Sequence, residues 1–139
     1  MDMTTALEWA GERSNAVLIT LRSDGRAQSS DITYTVQQGR FVISITTDRA
    51  KTNNMRRDPR VVLHITDPAA WSYASFDGVV ELSEPAGRPD DETADRLVDY
   101  YRAVTSGEHP NWDEYRDAMV AEGRLIALVD PQAAVGQIR

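Results

Sequence analysis

Arg40-Phe41-Val42-Ile43-Ser44-Ile45-Thr46 is the stretch that decides the fold. Phe41, Ile43 and Ile45 fall on one face; Val42, Ser44 and Thr46 fall on the other. That two-residue period belongs to a strand with one face turned to a core. Just upstream, Gln37-Gln38-Gly39 reads as a turn. Before it, residues 27–36 read as a second strand, with an unusual density of small polar side chains. Residues 16–22 form an apolar strand, and Asp24-Gly25 between the two is the strongest hairpin signal in the chain. Three antiparallel strands therefore follow one another through short turns.

Working outward, Thr4 or Thr5 caps a first helix running to about Arg13. After Thr46, a short helix lies between a cap at Thr47 or Asp48 and Pro59, which cannot continue it. Val61–Ile65 is a fourth strand, and Asp67-Pro68 turns it. Trp71–Leu82 is long and extended, with Trp71 and Tyr73 on one face and Gly78 at a bulge or bend. A loop at 85–89 leads to a helix over 90–104, with Ala94, Leu97, Val98 and Tyr101 as its apolar stripe. Asn111 caps a further helix, with Glu114 three residues on as in a capping box, and Gly123 ends it. Arg124–Val129 is a last strand, turned by Asp130-Pro131. Six strands at hairpin spacing leave exposed edges unless they close, so the pattern predicts a mainly β domain over 1–139, a small barrel with peripheral helices. A two-layer α+β sandwich is the competing arrangement.

The chain's 139 residues suit one domain. No apolar run approaches the roughly 20 residues of a transmembrane helix. The acidic start Met1-Asp2-Met3-Thr4 lacks the basic region of a secretory signal. There is no cysteine, which excludes disulfides, thiolate metal sites and a cysteine nucleophile. A cytoplasmic setting is the expectation. The net charge of −7 argues against general nucleic-acid binding. Within it, residues 49–60 carry Arg49, Lys51, Arg56, Arg57 and Arg60 against Asp58 alone, a net of +4 that leaves −11 for the rest. Such a basic island is a local anion-binding candidate or a solvated helix surface.

Other chemistries find no support. The chain has two histidines, His64 and His109, and no serine elbow, Walker motif or Gly-x-Gly-x-x-Gly. His64 reads as a packed strand residue and His109 as a solvated loop residue. Asp90-Asp91-Glu92 suits the dipole of a helix start better than a cation site. Trp112, Tyr115 and Met119 read as core or subunit contact. Two features stay unexplained. One is Thr46-Thr47-Asp48-Arg49-Ala50-Lys51-Thr52-Asn53-Asn54, where a strand ends and a helix begins with cations in place of the acids its dipole prefers. A bound phosphate or carboxylate would supply the missing anion. The other is Trp71-Ser72-Tyr73, aromatics that either fill a core or flank a planar ring.

The string Arg49-Ala-Lys51-Thr-Asn-Asn54-Met-Arg-Arg-Asp58-Pro-Arg60-Val, after a strand ending in Thr46-Thr47, resembles the signature of the flavin/deazaflavin oxidoreductases. This is the split β-barrel superfamily of pyridoxamine-5′-phosphate-oxidase-like proteins. Gly25–Tyr34, Trp71-Ser72-Tyr73 and Arg124–Val129 are similar to its other elements, and the likeness runs from about residue 7 to 136. The Lys-x-x-Asn-Met-Arg-Arg-Asp-Pro-Arg pattern is most similar to the branch using the deazaflavin coenzyme F-420.

The resemblance implies a homodimer with cofactor sites at the subunit interface. It implies that Arg49 and Lys51 grip the cofactor phosphate with help from Thr47 and Asn54. Ser44, Ile45 and Thr46, with Gln28, Ser29 and Ser30, would line the tricyclic ring. Trp71 and Tyr73 would come from the partner subunit, and Arg124 would reach the cofactor's tail. The implied reaction is hydride transfer to an unsaturated small-molecule substrate, with Tyr34, Tyr73 or solvent as the proton source. FMN in the same fold, or cofactor binding without turnover, are the alternatives. No metal, nucleic acid or membrane enters these readings.

Overall fold

The computed structural model describes all residues, 1–139. Helix α1 (Met3–Gly11) leads into strands β1 (Asn15–Leu21), β2 (Ala27–Gln37) and β3 (Arg40–Thr46). Helix α2 (Ala50–Arg57) follows, then β4 (Arg60–Asp67), a 3-10 turn at Pro68–Ala70 and β5 (Ser72–Leu82). Helices α3 (Glu92–Thr105) and α4 (Trp112–Ala121) form a hairpin before β6 (Arg124–Gln137). The strands close into an antiparallel barrel in the order β1-β2-β3-β6-β5-β4. Closure excludes the two-layer sandwich and leaves unpaired edges only where β2 and β3 part. No helix is long and apolar enough to cross a membrane.

The alternation read in β3 sets the layers. Phe41, Ile43 and Ile45 are buried inside the barrel with Leu18, Leu63, Phe76, Leu125 and Val129. Phe41 sits edge-on to Tyr34 and Phe76, with ring centroids 5.3 and 4.9 Å apart. On the opposite face, Val42 and Ile126 form a second cluster with Ala86, Leu97 and Tyr115, which seats the α3–α4 hairpin on the outside of β3 and β6. α1 supplies Ala6, Trp9 and Ala10 to the main core.

Several boundaries differ from those read in the sequence. α1 is capped by Asp2, whose carboxylate accepts from the Thr5 N–H at 2.9 Å. The cap position of α2 is Arg49, which makes no capping side-chain bond, so neither Thr47 nor Asp48 caps it. β6 does not turn at Asp130-Pro131 but runs to Gln137. The proline is tolerated because the ladder shifts there: Gly78 pairs with Pro131 and Asp77 with Ala133, leaving Gln132 unpaired. Gly78 marks the bulge as expected. A Cβ on it would lie 2.5 Å from Val129 Cγ1, so any side chain there would force Val129 or the strand to shift.

Trp71 is not on a strand with Tyr73. It ends the 3-10 turn in the left-handed region, φ 52° and ψ 40°. A bulky side chain is uncommon there, and the Trp71 ring stands 77% exposed.

Candidate functional site

The site begins where two paired strands part. β2 pairs with β3 only from Tyr34–Ile43 to Gln37–Arg40. Its other half, from Thr33 back to Ala27, pairs with β1 alone. β3 beyond Ile43 continues along β6. The barrel is thus split between residues 27–33 and residues 44–46. The first missing rung is Thr33–Ser44, and the Tyr100 hydroxyl from α3 occupies it. That hydroxyl donates to the Thr33 carbonyl at 2.8 Å. Burial raises the Tyr100 pKa, partly countered by the Ser44 backbone N–H facing its oxygen. A side chain therefore stands in for a ladder bond and keeps the strands apart.

Further along the split, α2 plugs the gap. Buried Asn54 donates to Thr20 Oγ1 at 3.1 Å and to Gln28 Oε1 at 3.2 Å, and its carbonyl accepts from Arg57 at 2.8 Å. The Thr52 hydroxyl donates to the Thr46 carbonyl at 2.7 Å, and Arg49 Nε donates to Thr46 Oγ1 at 3.2 Å. Arg56 donates to the Thr47 carbonyl and hydroxyl at 3.0 and 2.7 Å. The Thr47 N–H donates to the Gly123 carbonyl. The turn between β3 and α2 is thereby fixed from both sides, which points Lys51 into the open part of the split.

That opening is a cleft of about 550 Å³, roofed by α3 and α4. Its cationic end holds Lys51 and Arg124; its aromatic end holds Tyr101, His109 and Tyr115, with Ser44 and Thr33 on the floor. The Lys51 pKa is lowered, first by burial and then by the charges of Arg49 and Arg124. Three cations thus converge, and of the carboxylates that border the cleft, Asp31, Glu114 and Glu122, only Glu122 pairs with one of them, at 3.4 Å from Arg124 Nη2. Arg124 Nε is buried and has no hydrogen-bond partner. An unpartnered guanidinium N–H beside a partly buried lysine is the donor set that an anionic group such as a phosphate would satisfy.

The residues expected at the site divide into groups. Ser44, Lys51 and Arg124 line the cleft, and Arg49 stands at its edge close enough to act on Lys51. Thr46 and Thr47 shape the turn. Ser29 is exposed on β2 and Ser30 half-buried beside it. Ile45 points into the barrel core at 1% exposure, which leaves only its backbone for a ligand. Asn54 and Gln28 are engaged with each other, so both Asn54 N–H groups are spent within the protein. Trp71 and Tyr73 lie outside the cleft. Tyr73 packs against His64, centroids 5.7 Å apart, in a shallow depression with Trp71 and Thr66. His64 and Thr66 also border a groove over Asp31–Thr33, and Asp31–Thr33 border the cleft, so one continuous surface joins the two regions.

Tyr34 is not a proton source. It is buried in the core, donates to the Ala10 carbonyl at 2.7 Å, and has its pKa driven far up by burial. His109 is not a solvated loop residue either. It is half-buried among Tyr101, Trp112 and Tyr115, at centroid distances of 5.3, 5.8 and 5.4 Å. The residues that sequence reading missed, Tyr100 and His109, both come from the α3–α4 hairpin. The adjacent pair Tyr100-Tyr101 was the available signal: one tyrosine in the apolar stripe leaves its neighbour about 100° away, facing the sheet edge.

A sequence model of the pyridoxamine 5′-phosphate oxidase family matches residues 4–130. The chain belongs to this family. A solved conserved hypothetical protein from Mycobacterium tuberculosis superposes with a TM-score of 0.78 at 19% identity, covering 99% of this chain and 85% of that one. A structure described as an F420 reductase gives a TM-score of 0.66 at 25% identity, covering 92% and 94%. An FAD-binding protein from Mesorhizobium loti gives 0.69 at 14% identity, covering 98% and 92%. These likenesses carry the split-barrel fold.

Proposed function

We propose that this family member is a coenzyme F-420-dependent reductase acting on an unsaturated, electron-poor organic substrate. The observation that carries the reading is the convergence of Arg49, Lys51 and Arg124 at the mouth of the split, with the Arg124 Nε–H unpartnered. Arg49 and Lys51 would hold the cofactor phosphate. Arg124 would meet the tail, and Ser29, Ser30, Ser44 and Thr46 would line the ring. The likeness to an F420 reductase over 92% of the chain supports the deazaflavin over FMN. When bound, the deazaflavin supplies a two-electron hydride; the protein supplies binding, orientation and electrostatics.

The working unit in this reading is a homodimer, in a cytoplasmic setting as the cysteine-free composition suggests. The helices cover β3 and the first half of β6 but leave the outer face of β1, β4 and β5 bare, with Val17, Ile19 and Val62 half-buried and Tyr73 exposed, flanked by exposed Trp71 of the 3-10 turn and Val135 at the far end of β6. A second copy of the chain would cover this face and bring Trp71 and Tyr73 to its neighbour's cleft. Parallel titration with F-420 and FMN, read by ring fluorescence, tests the cofactor. Binding of F-420 at least tenfold tighter than FMN is the expected result; tighter FMN binding overturns it.

A further inference from the structure

We propose that His109 is a catalytic hydrogen-bond donor in the cleft, through its Nε2–H, to the carbonyl oxygen of a conjugated ketone. The proposal rests on the reductase reading for its reaction, but its geometry belongs to this chain alone.

The sequence His109-Pro110-Asn111 fixes the imidazole. Pro110 has no N–H, so the first backbone donor after His109 is that of Asn111, which donates to His109 Nδ1 at 2.9 Å. The same Asn111 caps α4 by accepting from the Glu114 N–H at 3.1 Å, so the donor is anchored to a helix start. A ring whose Nδ1 accepts a hydrogen bond carries its proton on Nε2. That tautomer is a donor at Nε2.

The ring's position is equally constrained. Tyr101, Trp112 and Tyr115 pack around it, and Tyr115 is itself held by its hydroxyl donating to the Leu97 carbonyl at 2.9 Å. The neighbouring carboxylate is not its counter-ion: Glu108 is clamped by Arg102 at 2.6 and 3.1 Å. That guanidinium also lies 4.8 Å over the Trp112 ring, which closes the α3–α4 turn behind the imidazole. His109 lines the same cleft as Ser44, Lys51 and Arg124. The cleft therefore has a cationic end for a phosphate and, under an aromatic roof, a fixed imidazole donor.

The chemistry follows. Reduction of a conjugated ketone adds a hydride with its electron pair to the β-carbon. The C=C pair shifts, and negative charge gathers on the oxygen. A donor preorganised at that oxygen stabilises the charge as it forms. His109 keeps its proton throughout; the α-carbon takes one from water, so the substrate gains one hydride and one proton. A neutral imidazole suits this electrophilic role better than proton donation.

The test has a part that needs no cofactor. In the free protein, imidazole nitrogen NMR should show His109 protonated at Nε2 and not at Nδ1. Adding cyclohex-2-en-1-one alone should shift the Nε2 signal. His109→Leu should weaken binding of that ketone at least fivefold, and His109→Gln, which retains an N–H donor, should recover part of it. In turnover with reduced F-420, His109→Leu should lower kcat by about 100-fold while the F-420 Kd stays within twofold. A proton on Nδ1, or ketone binding equal in wild type and His109→Leu, overturns the proposal whatever the cofactor proves to be. Failure of the wild type to bind F-420 overturns the reductase reading and leaves the NMR result to decide His109.

Discussion

Lys51→Met separates a binding role from a structural one, because the two predict opposite signs. In the free protein the Lys51 ammonium is partly buried and faces Arg49 and Arg124, and its pKa is lowered by that burial first and by those charges second. A lowered lysine pKa means that the folded chain binds its proton less well than the unfolded chain does. Between the lowered folded pKa and the ordinary value of 10.5, the unfolded state holds more protons, so stability rises with pH through that alkaline window. Below that alkaline window the charged lysine is a net cost to folding. Methionine keeps the apolar stem and removes the charge. The free Lys51→Met protein should therefore melt no lower than wild type. Its affinity for a phosphate-bearing cofactor should fall by one charge-assisted hydrogen bond, about 1.5–3 kcal/mol, or roughly 10- to 150-fold. The assays are a thermal melt of the free protein and a fluorescence titration with F-420 at fixed ionic strength. The paired result is diagnostic, since few surface substitutions hold stability while losing affinity. A variant that melts several degrees lower and binds F-420 as wild type does would refute the anion-site argument.

Four further outcomes are expected. Light scattering should give a mass near twice 15.5 kDa, and Trp71→Asp should shift it toward the single-chain value without lowering the melting temperature, since that ring is 77% exposed. Tyr100→Phe should cost about 1–3 kcal/mol by leaving the Thr33 carbonyl and Ser44 N–H unpaired, and hydrogen exchange at the Ser44 amide should accelerate. Gly78→Ala should lose about 1–3 kcal/mol in a denaturant titration, because the new methyl meets Val129 Cγ1 at 2.5 Å. Reduced F-420 should support loss of a conjugated ketone in air and without it, whereas oxygen-dependent peroxide release with reduced FMN as the main reaction would favour the FMN alternative.

Much of the barrel could be read from the chain because its signals are local. The alternation of Phe41, Ile43 and Ile45 and the Asp24-Gly25 turn need no knowledge of distant residues, and each of the six strands was placed. The errors fell where a distant partner overrides a local signal. Asp130-Pro131 looks like a turn in isolation. Beside Gly78, whose missing side chain lets the strands shift register, it becomes the bulge of a strand that continues to Gln137. Trp71 looks like the first residue of a strand, but Pro68 starts a 3-10 turn whose last hydrogen bond, from the Trp71 N–H to the Pro68 carbonyl, holds it in the left-handed region.

The site was legible in charge and not in geometry. Cations at a helix start announce a missing anion; the family resemblance already named Arg124, and the structure sets it opposite Thr46 in the β3–β6 register, 78 residues further along the chain. No sequence rule pairs those two positions before the topology is known. The same holds for Tyr100 and His109. Their helices are legible, but their function depends on where the hairpin lands, and that is set by Val42 and Ile126 offering an apolar patch on the outside of the barrel. The outward half of β3's alternation, apolar at Val42 and hydroxylated at Ser44 and Thr46, therefore does two things. Its apolar end seats the hairpin that brings Tyr100 and His109. Its polar end leaves Ser44 under that hairpin on the floor of the cleft and Thr46 at the turn into α2. A strand with Val42 replaced by a polar residue would still join the barrel, but the hairpin that roofs the cleft would lose its seat.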